Sequence, residues 1–157
     1  MQQSKMAQLG VVLFFVGVGS TFVWWYSIGY LFLGWYWAYQ ISALTFAALM
    51  VSPSVVLTIA GLVLYITGRK TFWKSERPKG LLAFLGLVLM VIGGFFGAWY
   101  WAFADYAARK LLPPYNEPLV YYLGTNSPYF VLFALWIFSG LLIFADSIEA
   151  MLAKRKN

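Results

Sequence analysis

Four long apolar stretches, separated by shorter segments that hold most of the charges, organise this chain of 157 residues. They cover residues 9–30, 53–68, 81–101 and 128–145, and the second could extend back through 43–51. A helix needs about 20 mostly apolar residues to cross a bilayer, and unpaired backbone groups are very costly in lipid. The pattern therefore predicts an all-α integral membrane protein, with four transmembrane helices in a single domain over residues 1–157.

The apolar pattern occurs twice, in the same order. The glycine-bounded run 10–17 returns as 86–93, the aromatic cluster 24–26 returns as 99–101, and the Ser-Pro segment 52–57 returns as 127–132. Each half holds two apolar stretches, so both halves have the same orientation in the membrane. We therefore expect two tandem hairpins in a parallel repeat, over residues 9–68 and 85–145, joined by a basic linker at 69–80.

The basic residues orient the helices. They cluster in the linker, near the N-terminus and at the C-terminus: Arg69, Lys70, Lys74, Arg77 and Lys79, then Lys5, then Lys154, Arg155 and Lys156. Short segments rich in Lys and Arg stay on the cytoplasmic side of a membrane. We therefore expect a plasma or inner membrane protein with both termini in the cytoplasm and two hairpins that point outward.

Tryptophan and tyrosine crowd the two outer segments. The sequence predicts an outer aromatic surface that comprises Trp24, Trp25, Trp35, Trp37, Trp99 and Trp101. These rings prefer the membrane interface, so an aromatic belt is the simplest interpretation, and a docking surface for a partner or a lipid-like ligand is the alternative. Because Gly29 and Gly34 interrupt the first outer segment, we expect it to include an interfacial helix on the membrane or under a partner.

Two Ser-Pro pairs stand at the second and fourth apolar stretches. Serine is a good N-cap, and proline is favoured at the first helical position, where its missing N–H would be unpaired anyway. We therefore predict that Ser52-Pro53 and Ser127-Pro128 begin the return helices of the two hairpins. Neither serine has the histidine base or the motif of a catalytic nucleophile.

Small residues form a stripe on the first and third apolar stretches. The stripes are Gly10, Gly17 and Thr21 in the first and Gly86, Gly93 and Gly97 in the third. Spacings of seven and four residues return to nearly the same helix face, and small residues let membrane helices approach closely. We expect the first and third helices to cross along these stripes, with contact to another subunit as the alternative.

Composition narrows the chemistry. The chain is 62% hydrophobic and 10% charged, and it contains neither Cys nor His. It therefore lacks a thiolate nucleophile, the usual haem ligand and the commonest transition-metal ligand. We expect no catalytic residues, no metal and no cofactor carried by the chain itself. The net charge of +6 does not indicate nucleic-acid binding, because the basic residues form no continuous face and no binding motif.

The spans hold no ionisable residue in their central parts, whereas transporters usually do. Asp146 and Glu149 fall at the inner end of the fourth stretch, where Arg69, Lys70 or the basic tail could pair with them. We therefore predict a non-catalytic structural or assembly subunit of a larger membrane complex, with energy-converting and respiratory complexes as examples, whose partners are other membrane subunits and lipids. The alternative is an autonomous module that binds or transports a hydrophobic molecule such as a quinone or lipid between the hairpins. An independent membrane enzyme is the weakest hypothesis.

Overall fold

The structure, a computed structural model, describes residues 2–39, 42–74, 79–110 and 127–156. These residues form four helices, α1 (Gln2–Tyr39), α2 (Ala43–Phe72), α3 (Lys79–Lys110) and α4 (Ser127–Lys156). Each contains a segment long and apolar enough to cross a membrane: Ser4–Trp24, Leu44–Phe72, Lys79–Ala102 and Ser127–Ala153. The prediction of an all-helical chain with four helices long and apolar enough to span a membrane is confirmed for the described residues.

The helices form two antiparallel hairpins that lie side by side. α1 packs along α2, α3 packs along α4, and the hairpins meet mainly along α2 and α4. Large side chains fill the interior, among them Phe14, Leu89 and Trp136, each at most 1% exposed. Apolar side chains such as Val63 and Phe84 face outward and are more than half exposed. Such faces suit lipid, because acyl chains are as apolar as leucine.

Each hairpin closes on a pair of glycines whose backbones touch. A Cβ atom on Gly10 would lie 2.5 Å from the Gly61 carbonyl oxygen, and one on Gly61 would lie 2.8 Å from the Gly10 oxygen. In the second hairpin, the corresponding distances from Gly86 to the Gly140 oxygen and back are 2.7 and 2.5 Å. No side chain fits at either crossing, which is why both positions on each pair of helices are glycine.

The predicted crossing of the first and third helices is wrong. The small-residue stripe of α1 (Gly10, Gly17, Thr21) packs on α2, and that of α3 (Gly86, Gly93, Gly97) packs toward α4. α1 and α3 meet through the rings of Phe22 and Phe96, whose centroids are 5.5 Å apart. The stripes mark close approach correctly, but each helix presents its stripe to its own hairpin partner, which sequence spacing does not reveal.

The distance between the small residues of a stripe and the facing helix varies from one residue to the next. A Cβ on Gly17 would meet Thr58 Oγ1 at 2.9 Å, and one on Gly93 would meet the Phe133 carbonyl oxygen at 2.8 Å. At Gly97 the nearest such atom is Phe133 Cβ at 3.9 Å, an ordinary contact distance. The contact between α3 and α4 is therefore tight at Gly86 and Gly93 and looser at Gly97.

The prediction that Ser52-Pro53 begins a helix is wrong. α2 begins ten residues earlier, at Ala43, and its N-cap is Ser42, whose Oγ accepts from the Thr45 N–H at 3.1 Å. Pro53 lies inside α2, where it cannot donate to the carbonyl of Leu49, and Ser52 Oγ donates to that oxygen instead, at 3.1 Å. The freed carbonyl is thus satisfied within the membrane span. Ser127 and Pro128 are the first two residues of α4.

The first outer segment continues α1 where we expected an interfacial helix. Gly29 and Gly34 lie within α1, which runs to Tyr39, and α2 begins four residues later. A glycine inside a helix costs only about 1 kcal/mol relative to alanine, so two glycines in a long apolar run do not end it. The linker contributes its first residues to α2 and its last to α3, while residues 75–78 lie outside the described chain.

Candidate functional site

Charged side chains gather at one end of the molecule, where α2 and α4 end and α3 begins. They line a cleft of about 790 Å³. Its walls are formed by Arg69, Lys70, Trp73, Lys74, Lys79, Asp146, Glu149, Ala150 and Ala153. We call this the basic cleft, because four cationic side chains face two carboxylates in its lining.

Asp146 is held by partners from the other hairpin. Tyr65 Oη donates to Asp146 Oδ2 at 2.8 Å, and Trp73 Nε1 donates in turn to Tyr65 Oη at 3.0 Å. Arg69 Nη1 lies 3.8 Å from Asp146 Oδ1. The carboxylate is 17% exposed and the guanidinium 39% exposed, so the pair is partly desolvated. We call these four residues the Asp146 network.

The remaining cations of the basic cleft differ in how they are held. Lys79 Nζ donates to the Ala150 carbonyl oxygen at 3.0 Å, which fixes the start of α3 against the last turns of α4. Lys70 is exposed in the last turn of α2, and Lys74 is exposed in the turn that follows it. Two of the four cations are therefore engaged within the protein, while Lys70 and Lys74 present ammonium groups to whatever occupies the cleft.

Three hydroxyl groups join α1 to α2 within the membrane span. Thr21 Oγ1 and Ser20 Oγ lie 2.6 and 3.0 Å from Ser54 Oγ, and both also donate to the Gly17 carbonyl oxygen. Thr21 and Ser54 are at most 5% exposed. Neutral hydroxyls that bond to each other and to backbone supply no acid or base, so this cluster fastens the α1–α2 hairpin and does not indicate catalysis.

The seam between the hairpins is narrow where the rings of α1, α3 and α4 meet. The gap there has a volume of about 20 Å³ and is lined by Thr21, Phe22, Phe96, Tyr129, Phe133 and Trp136. That volume is enough for one water molecule and is far smaller than a quinone ring. Phe96 and Phe133 stack across the α3–α4 interface with centroids 6.0 Å apart, which helps to close the gap.

The structure separates the members of the predicted outer aromatic surface. Trp24 is half-buried against the core, whereas Trp99 and Trp101 are 61% and 52% exposed on α3. The side chains of Trp25, Trp35 and Trp37 lie outside the described residues. The exposed tryptophans of α3 are thus the described part of that surface that a partner or lipid could contact.

The sequence offered Arg69, Lys70 or the basic tail as a partner for Asp146, and the structure brings Arg69 to it. It did not anticipate the contribution of Tyr65 and Trp73. A usable signal was present, because Tyr65, Arg69 and Trp73 follow one another at four-residue spacing and so share a helix face. A polar ring and a cation one turn apart, at the end of a span, favour a partner carboxylate on a neighbouring helix.

Comparisons of this chain with protein-family models, with curated proteins and with solved structures found no match. The chemistry that bears on function is therefore that of the chain itself. At one end of the described helices a cation-rich cleft suits an anion. Toward the other end, exposed tryptophans on α3 suit an apolar or aromatic contact.

Proposed function

We propose that this chain is a non-catalytic structural or assembly subunit of a larger multi-subunit membrane protein complex. The observation that carries the proposal is the length of α1, which has 38 residues and no charged residue after Lys5. At 1.5 Å per residue the helix is about 57 Å long. A bilayer is about 30 Å thick in its hydrocarbon core and about 40–45 Å with its headgroups.

The part of α1 that extends beyond the bilayer is apolar and is expected to pack against another protein surface. Residues 24–39 are almost entirely aromatic or aliphatic and continue the helix without a charge. Apolar surface in water costs roughly 25 cal/mol per Å², and large exposed apolar patches mark sites of association. A neighbouring subunit that packs on this helical extension would remove its apolar side chains from water.

α3 supports the same proposal. Its 32 residues extend about 48 Å at 1.5 Å per residue, and Trp99 and Trp101 lie exposed in the half that is far from the basic cleft. Tryptophan is enriched among the residues that dominate the binding energy of protein interfaces. Partner subunits on the outer ends of α1 and α3 are therefore the contacts that we propose, together with lipids around the spans.

The proposal includes an orientation. Lys5, Lys70, Lys74 and Lys79 all lie at the end of the molecule that carries the basic cleft. By the positive-inside rule we assign this end, and with it both termini, to the cytoplasmic side of a plasma or inner membrane. The exposed tryptophans of α3 then lie at the outer side.

We also propose that the two hairpins are tandem parallel repeats. The support is the matching pair of glycine crossings, Gly10 with Gly61 and Gly86 with Gly140, each between the first and second helix of its hairpin. The Ser-Pro segments do not match in the same way, because one lies inside α2 and the other begins α4. The two hairpins therefore correspond at their glycine crossings but not at the residues where their second helices begin.

The test is to extract the chain from its native membrane in mild detergent and to measure particle mass and stoichiometry. We expect a large particle with partners in fixed ratio. Trp99→Ala/Trp101→Ala should reduce the retained partners at least tenfold, because these rings are exposed at the proposed contact. Phe84→Ala is the matched control, since Phe84 is 59% exposed on the same helix near its inner end.

Three results would contradict the proposal. One is a wild-type particle of one or two copies without protein partners. Another is a Phe84→Ala variant that loses its partners to the same extent, which would indicate that removal of any exposed ring has this effect. The third is full partner retention in the double tryptophan variant. A small particle that carries only lipid or quinone would instead favour an autonomous binding or transport module, for which the basic cleft, rather than the narrow seam, offers the larger space.

A further inference from the structure

We propose that the basic cleft binds the phosphate headgroup of an anionic phospholipid from the cytoplasmic leaflet. The inference does not depend on membership of a complex. It rests on three features that coincide at the ends of α2, α3 and α4: an excess of cations, an apolar stripe that leads away from them, and a cleft of headgroup size.

The charge of the cleft favours an anion. Four cations and two carboxylates line it. Asp146 is already hydrogen-bonded by Tyr65 and paired with Arg69, which leaves Glu149 as the lining carboxylate to set against Lys70, Lys74 and Lys79. Lys70, in the last turn of α2, and Lys74, two residues after α2 ends, are both exposed and both line the cleft. Phosphate oxygens accept bonds from ammonium groups, and basic pockets between membrane helices on the cytoplasmic side are suited to lipid headgroups.

An apolar stripe on α2 distinguishes a lipid from a free anion. Val56, Ile59, Val63 and Ile66 precede Lys70 at spacings of three and four residues, so all five share one face of the helix. The four apolar side chains are 64%, 45%, 58% and 47% exposed. An acyl chain can lie along this stripe while its phosphate reaches Lys70, whereas a free phosphate gains nothing from it.

The size and setting of the cleft are those of a headgroup site. Its volume of about 790 Å³ lies within the range of small-molecule pockets. Trp73 lines it beside Lys70 and Lys74, and its indole N–H is engaged by Tyr65. Tryptophan prefers the depth at which glycerol and phosphate groups lie. The Trp73 ring therefore indicates that the cleft lies at the depth of the lipid–water boundary.

The experiment titrates the whole chain, purified in mild detergent and delipidated, with phosphatidylglycerol and with phosphatidylcholine of the same acyl chains. Bound lipid is counted by native mass spectrometry. We expect phosphatidylglycerol to bind at least tenfold more tightly than phosphatidylcholine. Lys70→Gln should weaken the binding of phosphatidylglycerol about fivefold, and Lys70→Gln/Lys74→Gln should weaken it about 30-fold. Each lysine near an anionic surface contributes about 1 kcal/mol to the binding free energy.

Lys5→Gln is the matched control. Lys5 is an exposed lysine on the same end of the molecule, but it does not line the cleft. Its removal should leave phosphatidylglycerol affinity unchanged within twofold. Because Lys70 and Lys74 lie outside the Asp146 network, their variants should also keep the thermal stability of the wild type, which shows that any lost binding is not lost folding.

Each of the following outcomes would overturn the inference. Equal binding of the two lipids would remove the headgroup preference. An equal effect of Lys5→Gln and Lys70→Gln would indicate diffuse attraction to charge. Displacement of phosphatidylglycerol by an equal concentration of inorganic phosphate would identify a free anion as the ligand. Undiminished lipid binding by the double variant, with loss of a co-purified protein, would identify an acidic segment of a partner as the occupant.

Discussion

The Tyr65 hydroxyl joins the two hairpins, because it donates to Asp146 on α4 and accepts from Trp73 on its own helix. Tyr65→Phe should lower the free energy of unfolding by about 1–3 kcal/mol, the usual cost of losing a hydrogen bond to a charged group. The measurement is thermal unfolding in detergent, followed by the loss of helical circular dichroism.

A double-mutant cycle with Asp146→Asn separates this bond from other effects of the substitution. An amide oxygen still accepts from Tyr65 but carries no charge, so Tyr65→Phe should cost less in the Asp146→Asn background, by about 1 kcal/mol. The same loss in both backgrounds would mean that the hydroxyl acts through packing rather than through the carboxylate.

The glycine crossings lead to a second prediction at the scale of single residues. Gly140→Ala would place a methyl carbon 2.5 Å from the Gly86 carbonyl oxygen, so the backbones of α3 and α4 must separate. We expect a loss of about 1–3 kcal/mol in the free energy of unfolding, the typical cost of overpacking. The temperature of unfolding in detergent is again the readout.

Gly94→Ala is the control for this prediction. Apart from the adjacent residues and backbone of its own helix, no described atom lies within 4 Å of the position that its Cβ would occupy, and Gly94 is on the same hairpin. Alanine has the better helix propensity, so this variant should match or exceed wild-type stability. If Gly94→Ala and Gly140→Ala destabilised the chain equally, the contact between backbones would not be the cause.

At the scale of the element, α2 shows how a helix accommodates a proline. Ser52 Oγ supplies the donor that Pro53 lacks, to the carbonyl oxygen of Leu49. Ser52→Ala should therefore destabilise the chain by about 1 kcal/mol or more, because a carbonyl inside the span loses its partner. Hydrogen exchange of the α2 amides and thermal unfolding both report the change.

Replacing the proline should suppress that effect. In Ser52→Ala/Pro53→Ala the new N–H at position 53 can donate to Leu49, so the double variant should be more stable than Ser52→Ala alone. Thr67→Val is a control for hydroxyl loss, since Thr67 Oγ1 donates to the Val63 carbonyl in a regular helix turn. A double variant as unstable as Ser52→Ala would show that the serine acts elsewhere.

The same element shows what sequence can and cannot predict. The apolar stretches predicted four spans, because hydrophobic length decides whether a helix crosses a membrane. The start of α2 was misplaced because Ser52-Pro53 has the local chemistry of a cap. Ser42, which has the same capping ability, follows the aromatic-rich first outer segment and precedes residues 43–51, by which the second apolar stretch could be extended. Local capping preference does not decide between two serines when the apolar run continues through both.

At the scale of the whole molecule, the arrangement of the helices could not be predicted from the stripes. Small residues at Gly10 and Gly86 predicted close approach but not their partners, Gly61 on α2 and Gly140, which is the one glycine of α4. The basic residues of the N-terminus and the linker lie at one end of the molecule, as the charge pattern predicted, and the assignment of that end to the cytoplasmic side stays a prediction. The basic cleft needed the structure, because it assembles side chains from three helices.

The Asp146 network also has a mechanical consequence. Each hairpin is stiff, because its backbones touch at a glycine crossing and cannot slide past each other without collision. At the level of Phe22 and Phe96 the hairpins meet through aromatic rings, and lipid can replace such contacts at little cost. At the end that carries the basic cleft, Tyr65 and Arg69 hold Asp146 through a hydrogen bond and an ion pair. We therefore expect any separation of the two hairpins to begin at the aromatic contacts, with the Asp146 network as the hinge.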